Sequence, residues 1–196
     1  METKKILFTG VGGQGTLLAS RLLGQAAMEA GIPVRVSEVH GMAQRGGVVE
    51  STVMLGGLKS PIISEGEADI LVSFEPLEAL RALSRCSSGS TIITNTVPIV
   101  PFTVDLGQAE YPDMDYWLEF MKRNFARVCA LDAETLAKEA GTTRAVNVVL
   151  LGTLISLGEV PVSREMMEQT IRQNVKPKFV DANLKALELG FSSAEC

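Results

Sequence analysis

A chain of 196 residues, 46% hydrophobic and 21% charged with a formal net charge of −5, has enough apolar material for one substantial core, and residues 1–196 are expected to form a single domain. The acidic balance gives it no electrostatic attraction to nucleic acid or to an anionic membrane. The longest apolar candidate, Val146 to Leu157, is interrupted by Asn147, Gly152, Thr153 and Ser156, so no membrane span is expected and the protein should be cytoplasmic.

Taken in order, Lys5-Ile6-Leu7-Phe8-Thr9 reads as a strand. It stops at Gly10-Val11-Gly12-Gly13-Gln14-Gly15, and Thr16 to Ala30 continues with apolar residues at helical spacing. Strand, glycine loop and helix form the opening of a nucleotide-binding βαβ unit. In this reading Gly10 turns the chain off the strand and Gly12 lets an anion approach the backbone. Gly15 lets the helix pack closely on the sheet, while the helix start offers free N–H groups to a phosphate or carboxylate. The alternative is a tight turn that binds nothing. A Walker-type phosphate loop is excluded, because Thr16 stands where that motif needs lysine.

Ile32 to Glu38 is the second strand, and Glu38 stands where a ribose-binding acid belongs, which permits a dinucleotide. The stretch Val39 to Gly47 suits neither a helix nor a strand interior. It leaves the strand edge where open α/β sheets bind ligands, so His40 and Arg45 are candidates to face a ligand or partner, with Gly46 and Gly47 allowing close approach. The competing readings are a backbone-bonded histidine and a solvated arginine.

Val48 to Leu55 reads as a strand. Gly56-Gly57 then suggests a turn, with Leu58 to Ile63 returning as the second arm of a hairpin and giving antiparallel character to an otherwise parallel sheet. Ala68 to Phe74 is a buried-type strand, followed at Pro76 by a helix over Leu77 to Arg85. Ser90 to Asn95 is a strand after a turn at Ser88-Gly89, and Phe102 to Val104 a short strand in an irregular excursion. Asp113 to Phe125 is a helix packed by its aromatic face, with Met114, Trp117, Leu118 and Met121 at helical spacing. Val128 to Leu131 is a strand. Helices follow over Ala133 to Ala140, Thr143 to Leu157, Ser163 to Asn174 and Lys178 to Leu189. Asn147 is the one large polar residue at a buried-looking position of the long apolar helix. The fold class is therefore α/β, a Rossmann-like three-layer fold with a mostly parallel sheet and a helical C-terminal part.

Cys86, Cys129 and Cys196 lie far apart and form no C-x-x-C, so they are expected to be reduced thiols and not an iron–sulfur or zinc framework. The single histidine offers no His-based metal site. No nucleophile elbow, paired-carboxylate set or Gly-Asp-Gly thiamine signature is recognisable.

The ordered pair Gly10-Val11-Gly12-Gly13-Gln14-Gly15 and His40-Gly41-Met42-Ala43-Gln44-Arg45-Gly46-Gly47, with Asn147 and Leu151-Gly152 in the late helix, resembles the gamma-type subunits of 2-oxoacid:ferredoxin oxidoreductases, the pyruvate/ketoisovalerate family, and in particular its indolepyruvate branch. The resemblance spans nearly the whole chain. It implies oxidative decarboxylation of a 2-oxoacid to an acyl-CoA, with electrons passing to ferredoxin and with no cofactor and no catalytic residue in this chain. Thiamine diphosphate and iron–sulfur clusters would reside in companion subunits, while this subunit shapes the catalytic cavity and docks coenzyme A. The glycine loop, Gln14, Arg45, Gly46 and Gly47 would then contact the ligand, with His40, Gln44 and Asn147 at the pocket or interface. A stand-alone NAD-dependent reductase using Glu38, or a small-ligand regulatory module, are the competing readings.

Overall fold

The computed structural model describes residues 3–40, 47–193 and 196, His40 by its backbone only. The chain runs β1 (Lys4–Val11), α1 (Thr16–Glu29), β2 (Val34–His40), β3 (Val48–Leu55), β4 (Ala68–Ser73), α2 (Pro76–Ala82), β5 (Cys86–Asn95), α3 (Phe102–Asp105), α4 (Met114–Asn124), β6 (Arg127–Leu131), α5 (Ala133–Glu139), α6 (Val146–Ser156), α7 (Arg164–Asn174) and α8 (Val180–Ser192), with short 3-10 turns at Leu83–Arg85, Thr143–Ala145 and Pro177–Phe179.

The six strands lie in the order β2-β3-β1-β4-β5-β6. β1, β4, β5 and β6 are parallel, whereas β3 is antiparallel to both β1 and β2. Alternation along each strand sends side chains to two cores. Ile6, Phe8, Val53, Ile70, Val72 and Ile93 face α1 and α5 to α8, while Leu7, Met54, Leu71 and Ile92 face α2 and α4. Three layers result, as the apolar pattern requires.

Several elements differ from the sequence reading. Leu58 to Ile63 forms no strand, because β1 and β2 already occupy both edges of β3. The antiparallel hairpin is β2 with β3 instead. Phe102 to Val104 belongs to the helical turn α3, in which Leu106 N donates to Phe102 O. The turn expected at Ser88-Gly89 is absorbed into β5, where Ser90 Oγ donates to Ala68 O at 2.6 Å across a register shift. On α4 only Met121 is buried, and Trp117 stacks edge-on against the partly exposed Tyr116 and Phe120. The aromatic face thus covers less core than its spacing suggests.

The cysteines differ as well. Cys129 of β6 and Cys196 form a disulfide with Cα atoms 4.4 Å apart, because α8 returns the end of the chain to the sheet, a proximity hidden by a sequence separation of 67. Cys86 is a free, buried thiol, and burial pushes its pKa up to about 11.

Helix α6 has ten of its eleven residues buried, and a helix apolar all round has to be enclosed on every side. α8 encloses it through glycines. A Cβ on Gly152 would stand 2.3 Å from Leu187 O, and one on Gly190 would stand 1.9 Å from Val149 O. Thr153 Oγ1 donates to Gly190 O at 3.1 Å along the same seam. Gly190→Ala is therefore expected to destabilise the chain by about 3 kcal/mol or more, as overpacking against backbone does. Chemical denaturation of the variant checks this, and an unchanged midpoint would show that the two helices can move apart freely.

Candidate functional site

The βα turn after β1 is held from three sides. Gly12 N donates to Gly47 O at 2.9 Å, which ties it to the start of β3. Gln14 folds back through its amide, accepting from Val11 N at 2.7 Å and donating to Phe74 O at 2.8 Å. From the core side, Asn147 Nδ2 lies 3.5 Å from Gly15 O. Gly15 sits at φ 85°, in the left-handed region where glycine is favoured, and a Cβ there would also meet Asn147 Nδ2 at 2.9 Å. The close approach of α1 to the sheet occurs elsewhere, at Gly24, where a Cβ would stand 2.7 Å from Val36.

These bonds leave the start of α1 open. Its N-cap is Gly15, which has no side chain to cap it. Among the described residues none accepts from the N–H groups of Thr16, Leu17 or Leu18. Orphan donors combined with the positive end of a helix dipole make a seat for an anion. α1 and α2 leave β1 and β4 for opposite faces of the sheet, so the turn stands at the topological switch point, where open α/β sheets take ligands.

A dinucleotide does not fit this geometry. The strand beside β1 is β3, and β2 lies two strand spacings away, about 10 Å. Glu38 on β2 is already held by Arg21, whose Nε and Nη2 donate to it at 2.8 and 3.0 Å. Of the other sequence candidates, Gly10, Gly12, Gly13, Gln14, Gly15, Gly47 and Asn147 are brought together around one turn. Gln44, Arg45 and Gly46 lie outside the described residues. For His40 the backbone completes β2, paired with Val49.

Sequence reasoning missed a second group at the same edge. Glu75 caps α2, accepting from Glu78 N at 2.9 Å, and also accepts from Ile99 N at 3.1 Å and Tyr111 Oη at 2.5 Å. Burial and this bond to Glu75 raise the Tyr111 pKa. Asn95 donates to Phe74 O at 3.1 Å and accepts from Ala133 N at 3.0 Å. The one sequence signal for the group was Glu75 directly before a proline at a helix start. Glu78 is 3% exposed. Its Oε1 meets Arg81 Nη1 at 2.6 Å, while Oε2 has no partner among the described residues. Burial raises its pKa, with Arg81 opposing. Among the described residues no group of three His, Cys, Asp or Glu is placed to hold a metal ion.

Two outcomes follow from this geometry. Gln14→Ala removes both amide bonds and leaves Val11 N without its acceptor, so a loss of about 1–3 kcal/mol is expected in denaturation. Glu78→Gln tests the buried carboxylate. Its folded pKa lies above the ordinary value of 4.5, so the charged form costs stability as pH rises through and above that value, and the cost is absent at lower pH. Relative to wild type the variant should therefore gain stability as pH rises above the ordinary carboxylate range, and gain none below it. A difference in melting temperature that does not change with pH would show that Glu78 is well solvated.

Comparison with known proteins agrees with this arrangement. The chain matches the pyruvate ferredoxin/flavodoxin oxidoreductase family over residues 5–193. It is 44% identical over 197 residues to the indolepyruvate oxidoreductase subunit IorB of Thermococcus kodakarensis, covering 100% of this chain and 98% of that one. Among solved structures, pyruvate oxidoreductase subunit PORC from Thermotoga maritima superposes with a TM-score of 0.75 at 24% identity, covering 100% of this chain and 99% of that chain. The 2-oxoglutarate:ferredoxin oxidoreductase of Magnetococcus marinus, solved with 2-oxoglutarate, coenzyme A and succinyl-CoA bound, superposes at 0.74 and 18% identity. There the match covers 99% of this chain and 31% of that longer one. With its uncapped glycine turn at the switch point and its full-length likeness to such a subunit, the chain belongs to the pyruvate ferredoxin/flavodoxin oxidoreductase family.

Proposed function

We propose that residues 1–196 form one gamma-type domain that acts as the small, cofactor-free subunit of a cytoplasmic 2-oxoacid:ferredoxin oxidoreductase. Companion subunits bring thiamine diphosphate and iron–sulfur clusters. The complex decarboxylates a 2-oxoacid, indolepyruvate or another arylpyruvate, to its acyl-CoA and passes two electrons to ferredoxin. Support for the substrate class comes from the end-to-end likeness to an indolepyruvate oxidoreductase subunit.

The observation that carries the role of this chain is the uncapped start of α1 at the switch point. Its free amides suit the phosphates of coenzyme A. In this reading Gly10, Gly12, Gly13 and Gly15 shape the cradle. Gln14 uses one end of its amide on Val11 N and the other on Phe74 O, and so positions the turn. Arg45 supplies a paired guanidinium contact to the phosphate, Gly46 and Gly47 give it room, and His40, Gln44 and Asn147 border the pocket or the partner.

Reconstitution tests the proposal. The isolated chain is expected to be inactive, and adding the large companion subunit should restore indolepyruvate-dependent, coenzyme A-dependent reduction of ferredoxin. Arg45→Ala should lower kcat/KM for coenzyme A, or assembly, by about 2–5 kcal/mol, with Arg45→Lys recovering part. Normal turnover and assembly in Arg45→Ala would make that residue a solvated charge. Micromolar binding of NADH to the free chain, lost in Glu38→Ala, would replace the whole reading with a dehydrogenase.

A further inference from the structure

The ligand-side edge of the sheet carries a second cavity that the proposed function leaves unused. A cleft of about 430 Å3 opens between α2 and the segment 99–105, with Val11 also in its lining. Three carboxylates, Glu75, Glu78 and Asp105, line it against one guanidinium, Arg81. Both oxygens of Glu75 are engaged by donors from Tyr111, Ile99 and Glu78. Arg81 is committed to Glu78 Oε1. What remains is Glu78 Oε2, buried on a residue that is 3% exposed and without a hydrogen-bond partner among the described residues. A buried carboxylate oxygen short of a donor is costly unless a cation or donor reaches it.

The rest of the cleft lining is apolar. Leu77, Val100 and Pro101 line the cleft, and Ile99 and Phe102 stand beside them, Phe102 being 71% exposed. An apolar sleeve ending in a carboxylate matches a long side chain with an aliphatic stem and a charged head. It repels the phosphates that the start of α1 attracts, so one edge of the sheet presents an anion seat and a cation seat side by side. We propose that this cleft seats an arginine or lysine side chain of the companion subunit, with the stem along Ile99 and Phe102 and the cationic head at Glu78. The proposal rests on the subunit reading above. A protein side chain suits the cleft better than a free amine, because Ile99, Val100, Phe102 and Leu106 leave an exposed apolar collar on this stretch, surface that assembly would cover. Glu78 Oε2 is closed to solvent in the free chain, so the head reaches it only as the side chains lining the cleft shift.

The test uses the complex with the large companion subunit of the same organism and reads the dissociation constant by mass photometry. Glu78→Gln keeps the shape and the acceptor for Arg81 but removes the charge, and Phe102→Ser removes an exposed apolar contact. Each is expected to weaken association about tenfold or more. Wild-type affinity should fall with salt between about 0.05 and 0.5 M, with a shallower dependence in Glu78→Gln, while the free Glu78→Gln chain melts no lower than wild type at neutral pH. Unchanged affinity in both variants, with the wild-type complex active, overturns the cation seat and leaves the proposed function standing. Weaker association accompanied by a lower melting temperature of the free Glu78→Gln chain, with Phe102→Ser unchanged, also overturns it, since the defect would then be one of folding. A wild-type chain that forms no active complex removes both.

Discussion

The carbonyl of Phe74 is the point at which the ligand-side edge of this protein is tied together. It accepts from Gln14 of the glycine turn and from Asn95 at the end of β5, while Phe74 N donates to Thr9 O of β1. Asn95 passes the connection on to Ala133 N at the start of α5. The backbone of this one residue, through its N–H and its carbonyl, thus ties the ends of β1, β4 and β5 to one another. The bonds are buried or half-buried, where a missing partner costs more than a present one contributes. The fixed ends in turn place two oppositely charged features side by side, the positive start of α1 and the carboxylates that cap and line α2.

The insertion of β3 changes what a glycine-rich turn can do. In a sheet with β2 next to β1, the acid at the end of β2 reaches a ribose bound over the turn. Here an antiparallel strand separates them and Arg21 holds Glu38. The same strand anchors the turn from the other side, through Gly47 O to Gly12 N. What is lost as a dinucleotide site remains as an uncapped helix start at the switch point. The turn thus resembles that of dehydrogenases in sequence while its neighbour in the sheet is different.

The core beneath the turn is organised around α6. Its nearly complete burial requires neighbours on all sides, and the glycine seam with α8 brings backbone against backbone. Asn147, one residue into this helix, reaches the Gly15 carbonyl, so the packing of the C-terminal helices is felt at the glycine turn. Glu29 of α1 and Thr170 of α7 make a further tie at 3.0 Å.

Much of this was present in the residues themselves. The strand–glycine–helix opening, the parallel strands from Ala68 and from Val128, and the late apolar helix follow from local periodicity and glycine placement, which act over a few residues and need no partner. The gathering of Gly10 to Gly15 at one turn was equally readable. Pairing was not. Whether Val48 to Leu55 turns back on Leu58 to Ile63 or slots between β1 and β2 depends on which edges are free, a property of the assembled sheet. The roles of Glu75, Glu78, Tyr111 and Asn95, the bond between Cys129 and Cys196, and the engagement of Glu38 by Arg21 all join residues far apart in the chain. Local pattern determined which segments are helix, strand and turn. Tertiary structure decided which of their polar groups meet, because a buried carboxylate or amide takes its character from whatever the fold brings within about 3 Å of it.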